Sequence, residues 1–163
     1  MQGLTLDDSL IDAIEGVLDQ LLSKIPSCSV LLADISGRLI SVRNAKQRFN
    51  PTNLAALTAG NMAATTEIAR QIGEERPFQL IFHEGEEQNI YLSDIAGNFL
   101  LVVVFDNSTQ IGVVRLFTRQ AIKELLHLVE DLQTQQTSLG ISVNDQFSDA
   151  LSAEMEEVFG DWN

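Results

Sequence analysis

Residues 54–65 have the sequence Leu54-Ala55-Ala56-Leu57-Thr58-Ala59-Gly60-Asn61-Met62-Ala63-Ala64-Thr65. Asn50 and Pro51 stand just before this stretch, and the pair is typical of a helix start, with Asn as N-cap and Pro at the first helical position. Gly73 follows the stretch and is typical of a helix end. The sequence therefore predicts a helix, the second of the chain, from Pro51 to about Ile72.

The two sides of this helix differ in the size of their apolar residues. At about 100° per residue, one side, which we assign to the core, collects Leu54, Leu57, Met62, Ile68, Ala69 and Ile72. The other side would be charged if it only faced water, but it carries Ala55, Ala56, Ala59, Gly60, Ala63 and Ala64 and turns polar at Glu67, Arg70 and Gln71. Helix propensity alone explains alanines, whereas a mid-helix glycine costs about 1 kcal/mol relative to alanine. We therefore interpret the small side as a protein-binding surface.

Outward from this helix, apolar runs alternate with turn residues. They predict a first helix, Asp7–Lys24, followed by a hairpin of the strands Cys28–Ala33 and Arg38–Val42. After the second helix they predict a meander of the strands Phe78–Glu84, Asn89–Asp94 and Asn98–Phe105, and then a third helix from about Thr109 to Gln133. The last strand has no polar alternation, which is typical of a central strand covered on both faces. The predicted order is αββαβββα.

The strand that opens the meander is a candidate sheet edge. No charged residue guards it before Glu84, and an unguarded edge favours pairing with a second copy of the chain. We therefore predict a homodimer whose edge contact is formed by Phe78, Leu80, Ile81 and Phe82.

Composition narrows the possible partners and locations. The chain has 163 residues, of which 23 are acidic and 10 basic, giving a net charge of −13. Such a field repels nucleic acid, and the local basic strip Arg38–Arg48 lacks interleaved aromatic residues. The longest apolar run, Phe99–Phe105, is too short to span a membrane, and no signal peptide is evident. We expect a soluble, cytoplasmic protein with neither nucleic-acid binding nor membrane insertion.

Motifs for catalysis are missing from the sequence. It has no Gly-Lys-Ser/Thr phosphate loop and no His-Glu-x-x-His motif. His83 and His127 fall on different predicted elements, and Cys28 is best explained as a small residue of a strand. We therefore expect no enzyme, no catalytic residue, no metal and no cofactor.

The end of the chain differs from the rest. Residues 1–133 form the predicted domain, and residues 134–163 a polar linker followed by an acidic tail. An amphipathic helix in the tail would align one stripe: Phe147, Leu151, Met155, Val158 and Trp162. This helix either docks on its own domain or folds on a partner, and the linker and the acidic charge favour the second interpretation.

Three segments together resemble the roadblock (dynein light chain) family: residues 30–40, residues 54–65, and residues 100–106 with the following Ile111-Gly112. The resemblance covers about residues 6–133. The Ala-Gly-Asn stretch of the second helix is similar to bacterial regulators of the MglB type, which set cell polarity through a Ras-like GTPase.

This resemblance implies a fold and a function. The fold is α+β, a five-stranded antiparallel sheet with helix 2 on one face and helices 1 and 3 on the other. Members pair through the third strand and helix 2, and the paired helices bind the GTPase and stimulate GTP hydrolysis without an arginine finger. The implied GTPase-binding residues here are Ala56, Ala59, Gly60, Ala63, Ala64 and Glu67.

Two other functions stay open. Some roadblock proteins are scaffold subunits of larger assemblies, and related domains are small-ligand sensors. A sensor needs a pocket with convergent polar groups, and we expect the tightly packed last strand to leave little room for one.

Overall fold

The computed structural model describes residues 8–45, 49–131 and 134. Its elements are α1 (Asp8–Lys24), β1 (Ser29–Asp34), β2 (Leu39–Arg43), α2 (Pro51–Gln71), β3 (Leu80–His83), β4 (Gln88–Ile95), β5 (Phe99–Asp106) and α3 (residues 111–131). Met1–Leu126 form one compact unit and His127–Asn163 a second, in which residues 127–131 and 134 are described and helical. The type and order of the elements confirm the prediction, with the comparable ends shifted by at most two residues; the predicted ends Asp7 and Gln133 lie outside the described residues.

The sheet has five antiparallel strands in the order β2-β1-β5-β4-β3. β5 lies in the centre, where it pairs with β1 and β4, and its residues from Phe99 to Phe105 are all buried. This confirms the prediction from its unbroken apolar sequence, since only a strand covered on both faces can bury every side chain. β3 forms one edge of the sheet, also as predicted.

Two helical layers cover the two faces of the sheet. On one face, Ala59 and Met62 of α2 pack into a cluster with the sheet residues Leu31, Leu92, Leu100, Val102 and Val104. Val42 of β2 also packs against that cluster, so its neighbours Ser41 and Arg43 point to the opposite face. There they bind α1, because the Ser41 hydroxyl donates to Glu15 Oε1 at 3.2 Å and Arg43 Nη2 lies 2.6 Å from Glu15 Oε2.

Helix α3 lies beside α1 on this second face. Lys24 Nζ donates to Gln120 Oε1 at 3.4 Å and sits 5.5 Å from the ring centre of Phe117. The Thr109 hydroxyl, just before α3, donates to the carbonyl of Pro26 at 3.1 Å. The arrangement of helix 2 on one face and helices 1 and 3 on the other is therefore confirmed.

The tip of the β1–β2 hairpin determines how closely α2 approaches the sheet. Gly37 has φ +90°, and a Cβ added there would lie 2.8 Å from the Cα of Ala56. Asp34 holds the turn, because its Oδ1 accepts hydrogen bonds from the backbone N–H groups of Ser36 and Arg38. Burial alone would raise the pKa of Asp34, but these bonds and the Arg38 charge together lower it.

Candidate protein-binding surface of helix α2

The ends of α2 confirm the start and stop predicted from the sequence. The Asn50 side chain accepts from the backbone N–H of Asn53 at 3.1 Å, with Pro51 as the first helical residue. At the other end Gly73 has φ +82°, and the N–H of Glu74 donates back to Ala69 at 2.9 Å. This six-to-one bond is that of a Schellman cap. These caps therefore determine where the helix begins and ends.

The helix is rotated relative to the sequence prediction. Its buried residues are Ala55, Thr58, Ala59, Met62 and Ala69. The helical pattern assigns Leu57, Ile68 and Ile72 to the core, yet they are 72%, 55% and 65% exposed. The prediction is wrong for these three, and wrong for Ala55 and Ala59 as outward residues.

The hairpin tip explains this rotation. If residue 37 carried a Cβ, that atom would lie 3.2 Å from the Cβ of Ala59 and 2.8 Å from the Cα of Ala56. A leucine or isoleucine on this side would collide with the tip, so the helix turns its small side inward. The sequence carries one signal for this, because a turn glycine and an alanine-rich helix side together allow close packing.

Five of the six residues assigned to GTPase binding are exposed or half-exposed. Ala59 is the exception, with 7% exposure, and it belongs to the core. The accessible residues are Ala56, Gly60, Ala63, Ala64 and Glu67. Glu67 is held along the helix, because its carboxylate accepts from Arg70 at 2.6 Å and from Gln71 at 2.9 Å. A Cβ on Gly60 would meet nothing within 4 Å, so its cost in helix propensity has no compensating contact in the described fold.

The exposed residues form a graded ridge along α2. Positions four apart lie in one row on a helix surface, and the row that we call the α2 ridge consists of Ala56, Gly60, Ala64, Ile68 and Ile72. Its first three members are small and its last two are large and exposed. Exposed apolar patches of this kind mark interaction surfaces.

The β3 edge adjoins α2. The Asn61 side chain of α2 contacts the His83 ring at the end of β3. Leu80, Ile81 and Phe82 are half-buried, and β3 pairs with β4 alone in the part of the chain that the structure describes. The Phe82 ring stacks on Phe105 with centres 6.2 Å apart. Phe78, the fourth residue assigned to the dimer edge, lies before the strand and is half-buried.

A groove of about 370 Å³ runs along the other flank of α2. Met62 and Leu100 lie at its base, and its walls include Ile35, Ala63, Phe78 and Asp94. The packed central strand predicts little room for a pocket. The groove is present because it lies beside α2 and not within the packed central strand.

Asp94 is the charged side chain of this groove. Both of its oxygens accept from the backbone N–H of Gly97, at 3.2 and 3.1 Å. Burial raises the pKa of Asp94, and the N–H groups of Gly97 and Ile95 oppose that rise only in part. The Thr66 hydroxyl, a further polar group of the groove, already donates to the Met62 carbonyl at 2.9 Å.

Neither a metal site nor a membrane-spanning helix is found among the described residues. Within 8–45, 49–131 and 134, no group of three or more His, Cys, Asp or Glu could hold a metal ion. Among these residues, too, no helix combines the length and the apolar character needed to cross a membrane. The tail residues assigned to partner recognition, Phe147, Leu151, Met155, Val158 and Trp162, lie outside the described residues.

Comparison with known proteins identifies the family. The model of the Roadblock/LC7 domain matches residues 17–105, and the chain belongs to that family. Among curated proteins, none matches this chain.

Several solved structures are similar over most of the chain. MglB of Myxococcus xanthus is 38% identical, with a TM-score of 0.74 over 79% of this chain and 96% of that one. The gliding protein MglB of Thermus thermophilus is 30% identical, with a TM-score of 0.73 over 80% of this chain and 98% of that one. An MglB with a tetrameric arrangement is 29% identical, with a TM-score of 0.74 over 81% of this chain and 98% of that one.

Proposed function

We propose that this protein is a homodimeric, non-enzymatic regulator of a Ras-like small GTPase, of the type that stimulates GTP hydrolysis. The observation that carries the proposal is the packing of helix α2, which turns its small side towards the sheet, so that it buries alanines and exposes Leu57, Ile68 and Ile72. These exposed residues lie on the helix that adjoins β3, an edge strand of the sheet. A fold that leaves several large apolar residues exposed on one helix needs a partner there. The 38% identity with MglB of Myxococcus xanthus supports the same class of function.

The α2 ridge is complementary to itself. If two ridges pack antiparallel with Ala64 on a two-fold axis, Ile68 of one protomer lies opposite Gly60 of its partner. Ile72 then lies opposite Ala56, so each large residue meets a small one. Packing of such four-residue rows against each other is the commonest helix contact in globular proteins. The same two-fold axis would bring two β3 edges together and extend the sheet.

In such a dimer the outer sides of the paired helices would receive the GTPase. Ala63 and Glu67 remain accessible there, and the small side chain of Ala63 lets a second backbone come close. As the resemblance to MglB-type regulators implies, we expect the protein to act by ordering the GTPase's own active-site loops, without an arginine finger. We also keep the acidic tail, residues 134–163, as a separate recognition element for a partner.

Dimerisation is tested by Ile68→Lys. The residue is 55% exposed in one chain, so the fold should persist. A lysine buried in the paired ridges should weaken the dimer about 100-fold or more, because both copies bury an unpaired charge. Sedimentation across nanomolar to micromolar concentrations measures this. The matched control is Ala13→Lys, on an exposed position of α1 on the opposite face of the sheet. A variant that dimerises like the wild type would contradict the antiparallel ridge.

Regulation is tested by single-turnover GTP hydrolysis. The purified dimer is mixed with each Ras-like GTPase of the source genome, loaded with GTP, and the rate is compared with that of the GTPase alone. We expect one GTPase to be stimulated by the wild type and not by Ile68→Lys. Binding without any stimulation would favour the scaffold function, and an absence of binding to every GTPase would contradict the proposal.

A further inference from the structure

The groove beside α2 has the size and composition of a binding site. Its volume of about 370 Å³ falls within the range of ligand sites, roughly 300–1,000 Å³. Ile35 at its rim is 56% exposed, so a large apolar side chain is accessible there. Ala63 in its wall is a proposed contact of the GTPase, so the groove adjoins the surface where that partner would bind.

The polar groups of the groove indicate the chemistry of its occupant. Among the described residues that line it, Asp94 is the one charged side chain. Its hydrogen bonds come from neutral backbone N–H groups. In the described ranges, no Lys or Arg lies within ion-pair distance of its carboxylate. A half-buried carboxylate without a counter-ion is costly, and a cation brought by a partner would offset that cost.

The apolar residues indicate the rest of the occupant. Met62 and Leu100 at the base, with Ile35 and Phe78 in the walls, offer a surface for large apolar side chains. A free inorganic cation would leave this surface in water. A chain segment with an apolar residue next to a basic one would cover both parts of the groove, and the net charge of −13 favours the approach of a basic segment.

We propose that the groove receives a segment of the GTPase in which a large apolar side chain stands next to one Lys or Arg, with the basic side chain paired to Asp94. This inference rests on the proposed function. It separates two surfaces of α2, the ridge for the second copy of this chain and the Ala63 flank for the GTPase.

Two substitutions test the groove. Asp94→Asn removes the charge and keeps an oxygen for the Gly97 N–H, so the turn should be preserved. Ala63→Met fills the groove with a neutral side chain from an exposed position. We expect Asp94→Asn to weaken GTPase binding about 10-fold, the loss typical of one desolvated charge pair, and Ala63→Met to weaken it about 30-fold or more. Both variants should remain dimeric in sedimentation.

The matched control is Asp12→Asn, which removes the same charge from an exposed position of α1 on the opposite face of the sheet. It should bind like the wild type. If Ala63→Met does not fold, Ile35→Ser replaces it, because it removes an apolar side chain from the exposed rim without adding a charge. The basic partner is located by combining Asp94→Asn with single Lys→Ala and Arg→Ala variants of the GTPase, since the paired residue alone should show a non-additive loss.

Each outcome decides the proposal. Wild-type binding by Asp94→Asn and by the groove-filling variant would overturn the groove and leave the regulator function intact. A monomeric Ala63→Met would show that a second copy of this chain occupies the groove, which also overturns the proposal. If the wild type binds no GTPase, the proposed function and this inference both fail.

Discussion

Helices α1 and α2 pack against opposite faces of one sheet in opposite ways. α1 buries its large residues, Leu10, Ile14, Val17, Leu18 and Leu21, and leaves polar ones in water. α2 buries mostly alanines and leaves Leu57, Ile68 and Ile72 exposed. The contrast shows that α1 satisfies its apolar surface within the chain, whereas α2 carries apolar surface that only a partner can cover.

The two helices are also held by different contacts. Arg43 of β2 joins α1 through Glu15 at 2.6 Å and Asp19 at 2.8 Å. α2 is held by close approach, because Gly37 leaves space for the Ala56 backbone and the Ala59 methyl group. Large side chains cannot fit where α2 meets the hairpin tip at Ala56 and Ala59, so the packing and the exposed surface of this part of the helix have one common cause.

The largest expected effect is the difference in the free energy of unfolding that is lost when one leucine of each helix is replaced by alanine. Leu18 of α1 is fully buried and Leu57 of α2 is 72% exposed. Leu18→Ala should lower the free energy of unfolding by about 2–5 kcal/mol. Leu57→Ala should change it by less than about 0.5 kcal/mol.

Urea unfolding measures both values. It should be done in the monomeric Ile68→Lys background, so that contacts between copies do not add to the Leu57 value. Similar losses at the two positions would show that α2 buries Leu57 in solution, and that the two helices therefore pack in the same way.

The next effect compares two glycines at the boundaries of the α2 contact. Gly37 and Gly73 both have positive φ, but only Gly37 would place a Cβ against backbone, since Gly73 has nothing within 4 Å. Gly73→Ala should cost about 1–2 kcal/mol from backbone strain alone. Gly37→Ala adds overpacking against α2 and should cost about 2–5 kcal/mol.

Thermal unfolding of both variants at equal protein concentration checks this difference. If the two substitutions cost the same, the hairpin tip does not press on α2. The rotation of that helix would then need another cause.

The order of the elements could be predicted because its signals are local. Gly37 and Gly97 fall in turns, Asn50-Pro51 starts a helix, and the unbroken apolar strand lies in the centre. The rotation of α2 could not be predicted from periodicity, which favours burial of its large residues. The rotation depends instead on the distance between α2 and a hairpin that is remote in sequence.

The residues of the candidate surface, too, could be predicted only in part. A small-residue helix side identified Ala56, Gly60, Ala63 and Ala64 as accessible positions, but it could not separate Ala59, which lies in the core. The exposure of Ile68 and Ile72 reverses their predicted assignment. The groove was missed because its lining comes from four separate parts of the chain, around Ile35, Ala63, Phe78 and Asp94.

The smallest expected effect concerns the ion pair that holds α1. The hydrogen bond from Arg43, with its charge, lowers the pKa of Glu15 in the folded chain. An acid whose pKa is lower when folded stabilises the fold above its unfolded pKa, about 4.3, and loses that contribution as the pH falls through its folded pKa. Glu15→Gln should therefore reduce stability slightly at pH 7.

The pH dependence separates this ion pair from a simple packing contact. The difference in urea midpoint between wild type and Glu15→Gln should stay constant from pH 7 to about 5 and shrink as the pH is lowered further to about 3. The control Glu74→Gln, at an exposed position after α2, should show little difference at any pH in this range. A Glu15→Gln difference that stays constant down to about pH 3 would mean that the Glu15 charge does not hold α1, whose attachment would then rest mainly on its buried apolar residues.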